Sequence, residues 1–304
     1  MNIILAMVTY FCWGTTYAVT QYSLEGWPPL LLGALRALPA GLLLLMIKPN
    51  LPKPNDWAVL LRLGAINIAL FFTLLFVMSQ TLPSAISSMG MIYVPVFAML
   101  FHWLVNKKLP TKVQTLSGIL LIILAWNLFD PQQIQLSSLG LLALAAAIGC
   151  VVVGSNITKS LSNNIHWWTV LSWQLILGGA LLALAASLQA IVSPAQYINV
   201  WQNINSLNGL GLLWLILPNT VLAYTLYVWL LSRMSVVEFT FTGISNPIAG
   251  ILMGLFLLNE SFDFHQYSLM GAMILTSLLS PLFTHYLNKK KIKEDANPVL
   301  FLSK

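Results

Sequence analysis

Ten times along the chain, about 20 consecutive residues pass almost without a charge. A helix of that length spans roughly 30 Å, the hydrocarbon thickness of a bilayer. The runs cover about 3–22, 28–48, 57–80, 83–105, 111–129, 136–159, 166–190, 207–232, 236–258 and 266–287. Only 7% of the residues are charged and 58% are hydrophobic, whereas a soluble domain carries about 25% charge. Such a chain cannot cover a water-facing surface, so it reads as an all-α integral membrane protein. Most connections are short, the longest being a polar, Asn-rich stretch around 191–206, and none holds a soluble domain. The first run has no Lys or Arg and no small-residue cleavage site, and reads as a retained span rather than a signal peptide.

The charges sort by loop. Lys48, Lys53 and Arg62 flank the second connection, Lys107, Lys108 and Lys112 the fourth, Lys159 the sixth and Arg233 the eighth. Lys289, Lys290, Lys291, Lys293 and Lys304 fill the tail, which leaves Arg36 alone inside a span. The other connections hold Glu25, Asp130, Glu260 and Asp263 but no Lys or Arg. Short cytoplasmic loops collect basic residues, so ten spans with both termini in the cytoplasm are expected, in a cell membrane and most readily a bacterial inner membrane. The net charge of +6 follows from this sorting and does not point to nucleic acid. Cys12 and Cys150 sit inside apolar runs, and no CxxC or HExxH spacing occurs, so neither a metal nor another cofactor is expected.

The two halves match. At a shift of 138, Cys12 falls on Cys150, Thr20 on Thr158, Arg36 on Gln174 and Gly41 on Gly179. At a shift of 152, Asn67 falls on Asn219, Thr73 on Thr225 and Pro95 on Pro247. Each half holds five spans, an odd number, so the second enters the membrane the other way up, an architecture common among secondary transporters. The expected fold is ten transmembrane helices as two inverted five-helix repeats around a central cavity. The repeats cover 1–132 and 133–287, followed by a basic cytoplasmic tail at 288–304.

In order along the chain stand "CWGTTYAVT" and "LRALPAG", then "SWQLILGG", "NPIAGILMGLFLLNE" and "GAMILTS". In these motifs, and in their placement across two halves, nearly the whole chain resembles the EamA-type branch of the drug/metabolite transporter superfamily. The resemblance implies a central substrate cavity, alternating access and, most often, export of amino acids or related metabolites. That family usually closes its fourth span with a glutamate, as it does its ninth. Here Lys108 stands at that position, where an effect on helix-end packing or topology is expected.

Polar residues at mid-span carry the candidate site. Pro95 and Pro247 each remove a backbone donor and bend their helix, which lipid tolerates only where protein or a wet cavity satisfies the loose backbone. A symmetric pair of bends near the midplane suits a substrate site, although improved packing would produce the same sequence. Thr9, Trp13, Thr16 and Thr20 share one face of the first span. The candidate substrate-binding set is Trp13, Thr16, Asn67, Tyr93, Asn219, Tyr224, Tyr227 and Asn246. Glu238 is the one carboxylate clearly within a span and is a candidate for coupling or for a substrate amine, with pairing to Arg233 as the alternative. Arg36 needs a partner at membrane depth, either a substrate carboxylate or backbone carbonyls.

These features predict a secondary transporter, in the first place an exporter of small uncharged or zwitterionic metabolites such as amino acids or their derivatives. An importer of a vitamin or nucleoside-like nutrient with the same fold is the alternative. Its partners would be a small-molecule substrate and the lipid bilayer, with a homodimer left open. Phosphorylated substrates would require several intramembrane cations. No GxxxxGK[ST] loop is present, and the four His stand at span ends without a carboxylate cluster, so an enzyme is not expected.

Overall fold

A computed structural model describes residues 1–107, 109–128 and 136–279, the side chains of Asn106, Val237 and Phe241 aside. Lys108 and the basic tail at 288–304 lie outside the described residues. The described residues are helical, with no strand among them. Among the described residues, eight helices are long and apolar enough to cross a membrane: α1 (Asn2–Ser23), α2 (Pro29–Ile47), α3 (Pro54–Thr81), α4 (Ser84–Val105), α6 (Ser138–Leu161), α7 (Trp167–Val192), α8 (Ser206–Leu231) and α9 (Glu238–Leu258). Between α4 and α6 lies the shorter α5 (Lys112–Leu128). A further helix, α10, is described over 264–279.

The Asn-rich stretch after α7 differs from its expectation as a plain connection. Pro194, set at the first helical position where its missing N–H costs nothing, opens the short helix Pro194–Gln202. Tyr197 and Val200 bury its inner face, and the Tyr197 hydroxyl donates to Gln189 Oε1 at 2.8 Å.

The helices pack chiefly as α2 on α7, α1 on α9, α3 on α6 and on α7, and α4 on α9. Small residues permit the closest approaches. A Cβ on Gly14 would run into the carbonyl oxygen of Asn246, and Gly64 and Gly178 face each other so closely that a Cβ on either would meet the other's backbone. The outside is greasy: Ile119, Ile122, Trp126, Leu139, Leu142 and Ile191 are each more than half exposed, a surface that only lipid or protein can cover.

Three backbone irregularities recur in the two halves. The chain widens into a π-helix at Gly64–Leu70 in α3 and at Leu217–Leu222 in α8. It tightens to a 3-10 turn at Met91–Tyr93, before Pro95, and at Thr242–Ile244, before Pro247. Each proline lacks the N–H that would bond the carbonyl four residues back, and the turn around that carbonyl departs from α geometry. Lys107 and Asn259, 152 residues apart, end α4 and α9 in the left-handed conformation, with φ of 55° and 53°.

Candidate functional site

Three of the four irregular turns line one cavity, and the fourth, in α8, lies one layer behind it. The cavity is walled by α1 (Tyr10, Trp13, Thr16, Tyr17), α2 (Arg36), α3 (Asn67, Phe71, Leu75), α4 (Met91, Ile92, Val94, Pro95), α6 (Val151), α8 (Tyr224, Tyr227), α9 (Phe239, Thr240, Gly243, Ile244, Asn246) and Ser277 of α10. Its volume is about 40 Å³, room for roughly three water molecules.

Aromatic rings form much of the wall. Trp13 stands 5.5 Å from Tyr10 and 5.3 Å from both Tyr224 and Tyr227, centroid to centroid, and Phe239 lies 4.9 Å from Tyr10 and 5.4 Å from Tyr227. Most of these pairs are edge-on or tilted, the arrangement that ring quadrupoles favour. The series runs on through Phe72, 5.7 Å from Tyr224, to the Arg36 guanidinium, whose Cζ lies 4.3 Å over the Phe72 ring.

Polar ties knit the helices beneath the rings. The π-turn of α8 places Asn219 against α1 and α2. Its carbonyl accepts from Trp13 Nε1 and from Arg36 Nη2, both at 3.1 Å. Its side-chain Nδ2 donates to Thr16 Oγ1 at 3.0 Å, and its Oδ1 accepts from Thr15 Oγ1 at 3.3 Å. Arg36 Nε donates to Thr220 Oγ1 at 2.8 Å, while Thr220 donates to the Leu215 carbonyl in the widened turn. In the other half, Asn67 in the π-turn of α3 donates from Nδ2 to Gln174 Oε1 of α7 at 2.8 Å. Residue 174 is the counterpart of residue 36 in the sequence match, so each half ties its second helix to the widened turn of the other half. One tie uses an arginine and the other a glutamine.

Arg36 is 1% exposed. A charged side chain at membrane depth costs about 2.5–3.5 kcal/mol on insertion scales, and hydrogen bonds to a charged donor offset about 1.5–3 kcal/mol each. Two of its three nitrogens are satisfied, but Nη1 is buried without a partner. The Tyr10 hydroxyl and Asn246 Oδ1 are likewise buried and unpartnered, and all three residues line the cavity. The lining includes no Asp or Glu among the described residues.

The EamA-like transporter family model matches residues 1–128 and 138–281. The chain belongs to the EamA-like transporter family. Among relatives, Protein PecM of Dickeya dadantii (strain 3937) is 30% identical over 270 residues, covering 88% of this chain and 87% of PecM. YedA of Escherichia coli (strain K12), named an uncharacterized inner membrane transporter, is 26% identical over 286 residues, 89% of this chain and 87% of its own. A solved crystal structure at 16% identity superposes with a TM-score of 0.71 over 94% of this chain and 98% of its own, a likeness of fold. With its long apolar helices, this member of the EamA family is a multi-pass membrane protein.

Of the residues singled out in the sequence, Trp13, Thr16, Arg36, Asn67, Pro95, Tyr224, Tyr227 and Asn246 line the cavity. Asn219 lies one layer behind, as a hub of hydrogen bonds, and Pro247 is buried outside the lining. Tyr93 turns away and donates to the Leu121 carbonyl of α5 at 2.8 Å. Glu238 stands apart from the cavity and exposed, its Oε2 accepting from the Ser235 N–H and hydroxyl, both at 2.9 Å. Ser235 Oγ in turn accepts from the Glu238 N–H, a reciprocal capping box. Arg233 is 3.8 Å over the Trp229 ring instead.

Tyr10, Tyr17, Phe239 and Gln174 were not among the sequence-derived site residues. Tyr10, Trp13 and Tyr17 repeat at i, i+3 and i+7, a spacing that could have drawn the two tyrosines in. Gln174 was visible as the counterpart of Arg36. Nothing local in the sequence singles out Phe239.

Proposed function

We propose that the chain is a secondary transporter that moves a small organic metabolite by alternating access, most readily amino acids or their derivatives outward across a bacterial inner membrane. The observation that carries this is the cavity. In a transporter family member, eight helices from both halves converge on a space lined by rings and by three buried, unpartnered polar atoms. A buried polar atom without a partner costs about 1–3 kcal/mol, a debt that a bound substrate would remove. The small volume fits one stage of a cycle in which the walls must part to admit a metabolite.

The architecture underlying the proposal is ten spans in two inverted repeats, 1–132 and 133–287, with α5 and α10 as the remaining two spans and both termini cytoplasmic. Several features support it: the paired π-turns, the paired prolines, the paired left-handed helix ends and the separate matches of one family model to each half. The packing does too, since α1 on α8 repeats α3 on α6. Trp13, Thr16, Asn67, Tyr224, Tyr227, Asn246 and Arg36 form the binding wall, Asn219 holds that wall together, and Glu238 caps a helix rather than coupling transport to protons.

The test is uptake into proteoliposomes, using labelled amino acids, their N-acyl derivatives and simple organic acids, with and without a pH gradient. Saturable uptake that is lost in Trp13→Ala sustains the proposal. Absence of uptake for every class, in protein that elutes as a folded peak, overturns it.

A further inference from the structure

The two symmetric ties differ by one charge, and that difference calls for an explanation. Gln174 holds the widened turn of α3 as a neutral amide, so the tie itself needs no cation. Arg36 holds the turn of α8 through Nε and Nη2, and each tie leaves one buried nitrogen over, Nε2 on Gln174 and Nη1 on Arg36. Arg36 lines the cavity, whereas Gln174 does not. No Asp or Glu among the described lining residues balances the guanidinium.

We propose that the cavity selects a small organic monocarboxylate with a flat apolar body and no free amine, its carboxylate taken by Arg36 Nη1. The proposal rests on the transporter reading and narrows it, from amino acids and their derivatives to anions of one net charge. A monoanion cancels the single buried positive charge, and a planar carboxylate matches the guanidinium fork. A zwitterion brings an ammonium beside Arg36 and meets no carboxylate there. Its remaining partners would be neutral, the Asn246 Oδ1 and Tyr10 hydroxyl acceptors and the aromatic faces, and none of them supplies the negative charge that a desolvated ammonium beside another cation would need. Those rings already face one another edge-on or tilted at about 5 Å, which leaves the apolar body of a ligand as their natural guest. A dianion or phosphate would leave charge uncompensated.

The test uses four probes with one body: 3-phenylpropionate, phenylalanine, phenylethylamine and 3-phenylpropanamide. Each is titrated against purified protein by thermal shift and by isothermal calorimetry, in the wild type and in Arg36→Gln. That variant copies the tie of the other half, and its folding is checked by elution profile. We expect 3-phenylpropionate to bind at least about ten-fold more tightly than each of the other three, and this preference to vanish in Arg36→Gln. Phenylalanine binding as well as 3-phenylpropionate, or no probe binding at all, overturns the proposal. So does a preference that survives in folded Arg36→Gln. If Arg36→Gln does not fold, the wild-type ranking alone decides.

Counterflow of the same labelled probes in proteoliposomes separates the two layers. Binding of the monoanion without exchange sinks the transporter reading and leaves the site standing. Exchange of phenylalanine in preference to 3-phenylpropionate does the reverse.

Discussion

Replacing Glu260 with alanine should cost more than its place at a loop margin suggests. The helix beginning at Ser84 follows Pro83 and has no side-chain cap of its own. Its first N–H groups have no helical acceptor. Two of them, on Ser84 and Ala85, donate to Glu260 Oε1 and Oε2 at 2.5 and 3.0 Å, across from the end of α9. Ser84 and Ala85 are 0% and 1% exposed, so water cannot easily replace the carboxylate. Charge-assisted hydrogen bonds contribute about 1.5–3 kcal/mol each, and Glu260 itself is partly exposed, which argues for a total of about 2–4 kcal/mol. At about 2 °C per kcal/mol for a chain of this size, the apparent Tm in detergent should fall by roughly 4–8 °C at a fixed scan rate. Glu260→Gln keeps one acceptor and should lose about half as much. Gly254→Ala should fall too, because its Cβ would run into Glu260 Oε2. A Glu260→Ala protein that melts with the wild type would refute this account of how α4 and α9 are joined.

Other outcomes follow from the same structure. Glu238→Gln should leave transport with and without a pH gradient unchanged in proteoliposomes, since the side chain caps a helix outside the cavity; loss of gradient-driven accumulation would restore it as a coupling group. Gly14→Val should abolish transport and lower the melting temperature, because α1 and α9 would be forced apart at Asn246. Asn219→Leu breaks both of its side-chain bonds and leaves Thr15 and Thr16 short of a partner; a loss of roughly 1–3 kcal/mol is expected, read as a lower melting temperature.

Eight of the ten expected spans meet a helix long and apolar enough to cross a membrane, and they were legible because a bilayer demands long apolar runs. The run expected at 28–48 is Pro29–Ile47, and that at 207–232 is Ser206–Leu231. The mid-span polar residues were legible too, since each stands out against its apolar neighbours, and most of them line the cavity. What the sequence hid was direction. Tyr93 and Tyr224 look alike in a greasy run, yet one bonds α5 and the other lines the cavity, and only packing decides which. Glu238 was misleading for a different reason. Its partner was three residues upstream, in the S-x-x-E capping pattern from Ser235, while attention went to the cost of a carboxylate in a span. Glu260 could not be understood locally at all, because its two donors lie 175 and 176 residues away.

Alternating access around the cavity is the central claim, and thiol accessibility tests it without knowledge of the substrate. Thr16→Cys, in a background with Cys12 and Cys150 replaced by alanine, would be exposed to a membrane-impermeant maleimide from each side of oriented vesicles. The account predicts modification from both sides, slowed on both by a bound substrate. Modification from one side alone under every condition would contradict it.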